Sequence, residues 1–263
     1  MNILVGCDPE VFVKKNGVFK SAWGLINGDK KHPQKVNRGA VQVDGMALEF
    51  NIDPASTEEE FSLNVQTVFD QLKAMVPDYE IATVPVAHFD QAYMKKQPEE
   101  ALELGCDPDY NAWTGLVNHK PNGDRPMRTA SGHVHIGWTD NEDINDAAHQ
   151  SMGRAVVKQM DFFLGLPSLF YDADKERREM YGKSGCLRYK PYGVEYRTLS
   201  NAWLKNEKLM KWVFRNTQAG VSQLLNGNVL FNKYGDIQEI INTSDVKEAK
   251  KIVTAENIEV CYG

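Results

Sequence analysis

A chain of 263 residues, 42% of them apolar and 10% aromatic, has the length and apolar content to bury a large core, which excludes a disordered protein. Its formal charge is −6 and its Lys and Arg are interspersed with acids, which argues against a nucleic-acid-binding surface. No apolar run approaches the roughly 20 residues needed to span a bilayer, so no membrane partner is expected and the chain reads as soluble and cytoplasmic.

In chain order, Ile3 to Lys14 reads as extended structure interrupted at Asp8-Pro9, and Val41 to Ile52 brackets a turn at Asp44-Gly45 between two strands. Thr57-Glu58-Glu59-Glu60 opens an amphipathic helix to about Val76, with a hydroxyl cap, acids in the first turn and Pro77 beyond the end. Ile81 to Val86, His133 to Trp138 and Val194 to Leu199 are further strand candidates. A second helix is predicted from about Glu142 to Leu164, where Ile144, Ala148, Met152, Ala155, Val156, Met160 and Phe163 form an apolar stripe before Pro167. Asn206 to Leu225 repeats that pattern, and Val246 to Val253 reads as a Lys- and Glu-rich surface helix. Strands and helices do not alternate regularly, so an α+β fold is expected, a largely antiparallel sheet with helices packed on one side. Cys7, Cys106, Cys186 and Cys261 lie far apart, which favours reduced thiols over a zinc knuckle or disulfide scaffold.

Four segments place polar side chains two residues apart, and in a strand such residues share a face. His133 and His135 stand in Ser-Gly-His-Val-His-Ile-Gly, where glycines hem a pair able to share one site. Glu195 and Arg197 stand in Gly-Val-Glu-Tyr-Arg-Thr-Leu, with a simple salt bridge as the bland alternative. Glu49 and Asn51 alternate with Leu48, Phe50 and Ile52, whose faces belong to the core; solvent exposure is the competing explanation. Asp8 and Glu10 flank Pro9 and, taken alone, read as an Asp-Pro turn followed by a surface acid. Together these carboxylates and imidazoles suit a divalent cation held across a sheet. Downstream of Arg177 and Arg178, Tyr-Gly-Lys-Ser-Gly-Cys-Leu-Arg-Tyr-Lys (181–190) combines glycines that admit phosphate close to the backbone with Arg188, whose planar fork fits phosphate oxygens.

Gly-Cys-Asp-Pro-Glu, Asp-Gly-Met-Ala-Leu-Glu-Phe-Asn, Gly-Cys-Asp-Pro-Asp-Tyr-Asn-Ala-Trp, Ser-Gly-His-Val-His-Ile-Gly and Gly-Val-Glu-Tyr-Arg-Thr-Leu-Ser-Asn follow one another from Gly6 to Trp203. In that order they resemble the glutamine synthetase-like amidoligases, most closely the phage-type COOH-NH2 ligases of type 2, relatives of the glutamate–cysteine ligases. The resemblance implies a curved antiparallel sheet whose concave face carries ATP and metals, with helices outside; residues 1–235 are read as the ligase domain and residues 236–263 as a C-terminal extension packed on it. It implies Glu10, Glu49 and Glu195 as ligands of two or more Mg2+ (or Mn2+) ions, with Asp8 and Asn51 adjacent. His133 is then assigned to metal and His135 to the nucleotide, an assignment open to exchange. Arg188, Lys190 and Arg197 are implied to hold ATP phosphates, and Arg197, Arg188 and Glu195 to form the catalytic set. Asp107 or Asp109 is a candidate to take the proton of the amine.

The activity so implied is ATP-dependent amide formation through an acyl phosphate, with positioned cations and arginines neutralising charge on the transferring group. The carboxylate and amine can be small molecules, peptides or protein side chains, and the host cytoplasm is the expected compartment if a phage encodes the chain. Other readings stay open: a metal-dependent hydrolase of the amidohydrolase type, a guanidino kinase, and a non-catalytic metal-binding virion-associated module.

Overall fold

The computed structural model describes residues 3–102, 109–118 and 125–263. Every strand pairing among them is antiparallel, in keeping with the α+β expectation, but the strands divide between three open sheets instead of forming one. The first sheet runs in the order Leu4–Cys7, Val134–Gly137, Gly193–Tyr196, Cys186–Lys190 and Tyr110–Asn111. The second runs Val18–Lys20, Glu10–Lys15, Ala47–Ile52, Gly39–Asp44 and Gln34–Val36, with Glu80–Ala82 also paired to Glu10–Lys15. Val86–His88 and Met127–Thr129 pair separately. An amidohydrolase barrel needs parallel strands alternating with helices, and no parallel pairing occurs among the described strands.

Alternation decides which face of the first sheet is dry. Val5, Val134, Ile136, Leu187, Val194 and Tyr196 are buried, and helix Ala147–Met160 packs against strands Cys186–Lys190 and Gly193–Tyr196. Gly153 permits the approach, because a Cβ there would stand 3.2 Å from the Tyr189 ring. The residues between these apolar ones are left to the opposite face, where the site lies.

Helix Glu58–Met75 forms as its ends dictate. Thr57 accepts a hydrogen bond from the Glu60 N–H at 3.2 Å, three glutamates occupy the first turn, and Phe61, Val65, Val68 and Leu72 are buried. Phe69 stacks on Phe50 of the second sheet at 5.6 Å. Thr57→Ala is expected to cost about 1 kcal/mol, measured by denaturant titration, since it orphans one amide at an exposed helix end.

Some boundaries differ from the sequence reading. The second helix begins at Ala147, not Glu142, because Asp146 caps it by accepting from the His149 N–H, while Ile144 of the expected stripe is exposed. It runs on through a π-helical turn at Asp161–Gly165 into Leu166–Ser168, where Pro167 occupies the first turn of a new helical segment. The segment 81–86 is not one strand: Glu80–Ala82 and Val86–His88 lie in different sheets, with the Pro85 ring unable to donate to a ladder between them. Half of the basic stretch is the strand Cys186–Lys190.

Helix Val246–Ala255 buries Ala249, Ile252 and Val253 and packs on Leu166–Ser168, so it is more than a surface helix. Nearby, Asn242 accepts from the Ser184 N–H at 2.8 Å and Gln238 from the Asn111 side chain at 2.7 Å. Cys7, Cys186 and Cys261 are buried free thiols; Cys106 lies outside the described residues. No helix among the described residues is long and apolar enough to cross a membrane.

Candidate active site

Register builds the first half of the site. His135 stands opposite Glu195, and Glu195 opposite Arg188, across three adjacent strands. Period-two alternation adds His133, Arg197 and Lys190 to the same face. Asp8, one residue past the edge strand, reaches this group: its Oδ1 lies 3.1 Å from His135 Nε2 and 3.3 Å from His133 Nδ1.

Glu195 is wholly buried and is the hub of the basic groups. It pairs with Arg197, with Lys190 Nζ at 3.1 Å and with Arg188 Nη1 at 3.6 Å, and His133 Nδ1 stands 3.3 Å away. Arg197, only 5% exposed, is surrounded by acceptors: Nη1 meets Glu195, Nη2 donates to the Tyr181 hydroxyl, and Nε stands 2.9 Å from Asp109 Oδ1 as an ion pair without hydrogen-bond alignment. Burial alone would raise the Asp8 carboxyl, but the fields of His135 and His133 outweigh it and hold it well below the usual carboxylate range. Burial and Asp8 likewise push Glu195 up, and contacts with His133 and His135 bring it below its ordinary value.

Asp8, His135 and Glu195 offer ligand atoms within 4.8 Å of one another. Asp8 Oδ1, His135 Nε2 and Glu195 Oε2 are buried and make no hydrogen bond, even where another of them lies close. Two carboxylates and an imidazole this close offer a donor set that suits a divalent ion, which would share Glu195 with Lys190 and Arg188.

The second half lies on the neighbouring sheet. Glu10 and Glu49 face each other in register, and with Asp44 they bring carboxylate oxygens within 4.8 Å of one another. Burial and then the charges of Asp8, Asp44 and Glu10 push Glu49 well above the ordinary carboxylate range, and burial and Asp44 push Glu10 up. Three mutually repelling acids suit a hard divalent cation. Glu10 Oε2 also accepts from the Ser131 N–H at 2.8 Å, and Lys30 Nζ pairs with Asp44 at 2.7 Å. Asn51 shares the face of Glu49 and stands opposite Ala40, half-buried.

The structure thus gathers Asp8, His133, His135, Arg188, Lys190, Glu195 and Arg197 around one point, and Glu10 and Glu49 around another. His135, expected at the nucleotide, stands within the ion group, while His133, expected as a ligand, touches both of its carboxylates through Nδ1. Asp109 meets Arg197; Asp107 lies outside the described residues. Asp44, Tyr181 and Tyr192 escaped the sequence reading. For Asp44 a signal existed: Gln42 pairs with Glu49, so alternation along the hairpin carries residue 44 to the same face.

Over its second half the chain is similar to a family of carboxylate–amine ligases. The family model described as Phage phiEco32-like COOH.NH2 ligase-type 2 matches residues 129–254. The match holds His133, His135, Arg188, Lys190, Glu195 and Arg197, and it extends past Trp203, where the recognisable motifs end. No curated protein matches the chain.

Proposed function

We propose that the protein is an ATP-dependent carboxylate–amine ligase working through an acyl phosphate with two divalent cations. The observation that carries this reading is the pair of ion-competent groups, Asp8-His135-Glu195 and Glu10-Asp44-Glu49, beside Arg188, Lys190 and Arg197. Asp8, His135 and Glu195 would hold one Mg2+ or Mn2+ and Glu10, Asp44 and Glu49 the other, with Asn51 alongside Glu49. Bound there, the cations supply neutralisation of charge on ATP phosphate oxygens.

The side chains divide the remaining work. Arg188 and Lys190, about a quarter exposed, are accessible to bind ATP phosphates, while buried Arg197, held by Asp109, Glu195 and Tyr181, would supply a fixed positive charge beside the transferring group. A substrate carboxylate oxygen bonds to the γ-phosphorus as the bond to ADP breaks. The amine nitrogen then bonds to the acyl carbon, phosphate departs, and Asp109, held against Arg197, takes the amine proton. His133, buried between Asp8 and Glu195, positions both carboxylates. The substrates are a carboxylate and an amine carried by small molecules, peptides or protein side chains, and the need for ATP places the reaction in the cytoplasm. Residues 1–235 would form the catalytic domain, braced by the extension 236–263 through Asn242 and Gln238.

The test is incubation with ATP, Mg2+ or Mn2+ and pooled amino acids and short peptides. ADP and phosphate released in proportion to an added carboxylate and amine are the expected products. AMP and pyrophosphate would indicate adenylation instead, and metal binding without nucleotide turnover would favour the binding-module reading.

A further inference from the structure

We propose that Tyr192 is a positioning residue that fixes His135 for ion binding and so sets the affinity of the Asp8-His135-Glu195 group independently of Glu10-Asp44-Glu49. The proposal rests on the ion-binding reading given above.

Tyr192 sits in the Pro191-Tyr192 turn between strands Cys186–Lys190 and Gly193–Tyr196. Its carbonyl accepts from the Trp138 N–H at 2.9 Å and the Thr139 N–H at 3.2 Å, so its backbone is pinned to the end of the His135 strand. The next residue, Gly193, has φ +151°, and a Cβ there would lie 2.2 Å from the Ile136 carbonyl oxygen; glycine lets the turn close this tightly. The Tyr192 ring stacks on the His135 ring, with centroids 5.9 Å apart and planes 18° apart. Its hydroxyl oxygen lies 2.5 Å from His135 Nδ1.

An imidazole has two nitrogens, and the partner of one decides what the other can do. With Nδ1–H donated to the phenol oxygen, Nε2 keeps its lone pair and faces Asp8, where it makes no hydrogen bond. Losing such an outer partner typically weakens ion affinity about 10- to 100-fold. The phenyl ring of Tyr192→Phe keeps the stacking and removes only the hydroxyl.

The test is Mn2+ titration of the full chain, with free Mn2+ followed by electron paramagnetic resonance, in wild type, Tyr192→Phe, His135→Ala and Glu49→Gln. Wild type should bind two ions. In Tyr192→Phe the Kd of one ion should rise about 10-fold or more while the other stays unchanged. The weakened ion should be the one lost in His135→Ala and kept in Glu49→Gln, and the melting temperature without metal should match wild type. A general loosening of the fold would weaken both ions together and overturn the proposal. If His135→Ala loses an ion but Tyr192→Phe binds both as wild type does, the inference about Tyr192 fails alone. If wild type binds no Mn2+, or His135→Ala binds as wild type does, the ion-binding reading fails and takes the proposal with it.

Discussion

Arg197→Lys is expected to lower turnover about 10²- to 10³-fold while changing ATP affinity far less. The substitution keeps the charge but loses the planar fork, whose Nη1 and Nη2 reach Glu195 and the Tyr181 hydroxyl while its charge pairs with Asp109. A lysine ammonium cannot span those partners in one geometry. On the proposed reading Arg188 and Lys190 would still bind the nucleotide, so the loss should fall on the transition state and appear in turnover. ADP release at saturating ATP, ATP binding by calorimetry and melting temperature, all on one sample, make the comparison. A variant that melts earlier yet turns over normally would reduce Arg197 to a structural ion pair.

Asp161→Asn should cost about 3 kcal/mol of stability, roughly 5–10 °C in melting temperature, together with about tenfold in turnover. Asp161 lies on the dry side of the sheet, fully buried in the π-helical turn, and accepts four hydrogen bonds. Trp113 Nε1 and Ser184 Oγ donate to Oδ2 at 2.7 Å each; Tyr196 OH and the Gly185 N–H donate to Oδ1 at 2.9 and 3.2 Å. An asparagine amide turns its NH2 toward one of these pairs. The hydroxyl of that pair can rotate to accept, but the Trp113 or Gly185 N–H is left orphaned. Both belong to segments that frame the site, Trp113 following Asp109 and Gly185 preceding the Arg188 strand, which is why turnover should fall with stability.

The same carboxyl gives this variant a pH signature. Burial, working against its four donors, raises Asp161 from its ordinary 3.8 to about 6. A carboxyl raised by folding contributes stability that is fully present below its unfolded value and is lost as pH rises through the folded one. Asparagine does not titrate, so the stability gap between wild type and variant should widen by about 1 kcal/mol as pH is lowered from 7 to 5. Denaturant titrations at the two pH values measure it, and a gap independent of pH would mean that Asp161 stays ionised throughout.

What the sequence discloses here is local. Thr57 and its three glutamates announce a helix because cap, charge and apolar stripe agree within a few residues. The pairs His133/His135 and Glu195/Arg197 are legible because strand alternation needs no knowledge of partners. Which pair lies beside which is another matter, since the order of strands from Leu4–Cys7 through Val134–Gly137 to Gly193–Tyr196 is set by packing between residues far apart in the chain. The same distance hid Tyr192, which reads as a turn aromatic until the sheet closes it on His135, and Asp161, whose donors come from residues 113, 184, 185 and 196. Ile144 misled in the opposite direction: it continues an apolar stripe that Asp146 interrupts by capping the helix after it.

The two acid groups, although they lie in different sheets, are separated along the chain by a single residue, with Asp8 serving one group and Glu10 the other. That residue is Pro9, whose ring locks its φ near −65°, and its two neighbouring Cα atoms lie on the order of 7 Å apart at full extension. Asp8-Pro9-Glu10 is therefore a short covalent ruler between the groups. Glu10 is further clamped by Ser131, the residue that leads into His133, so the far end of the ruler is tied back to the first sheet. Asp8 and Glu10 cannot drift apart without distorting a proline, and the spacing that a pair of cations would have, were both groups to hold one, is inherited largely from backbone stereochemistry.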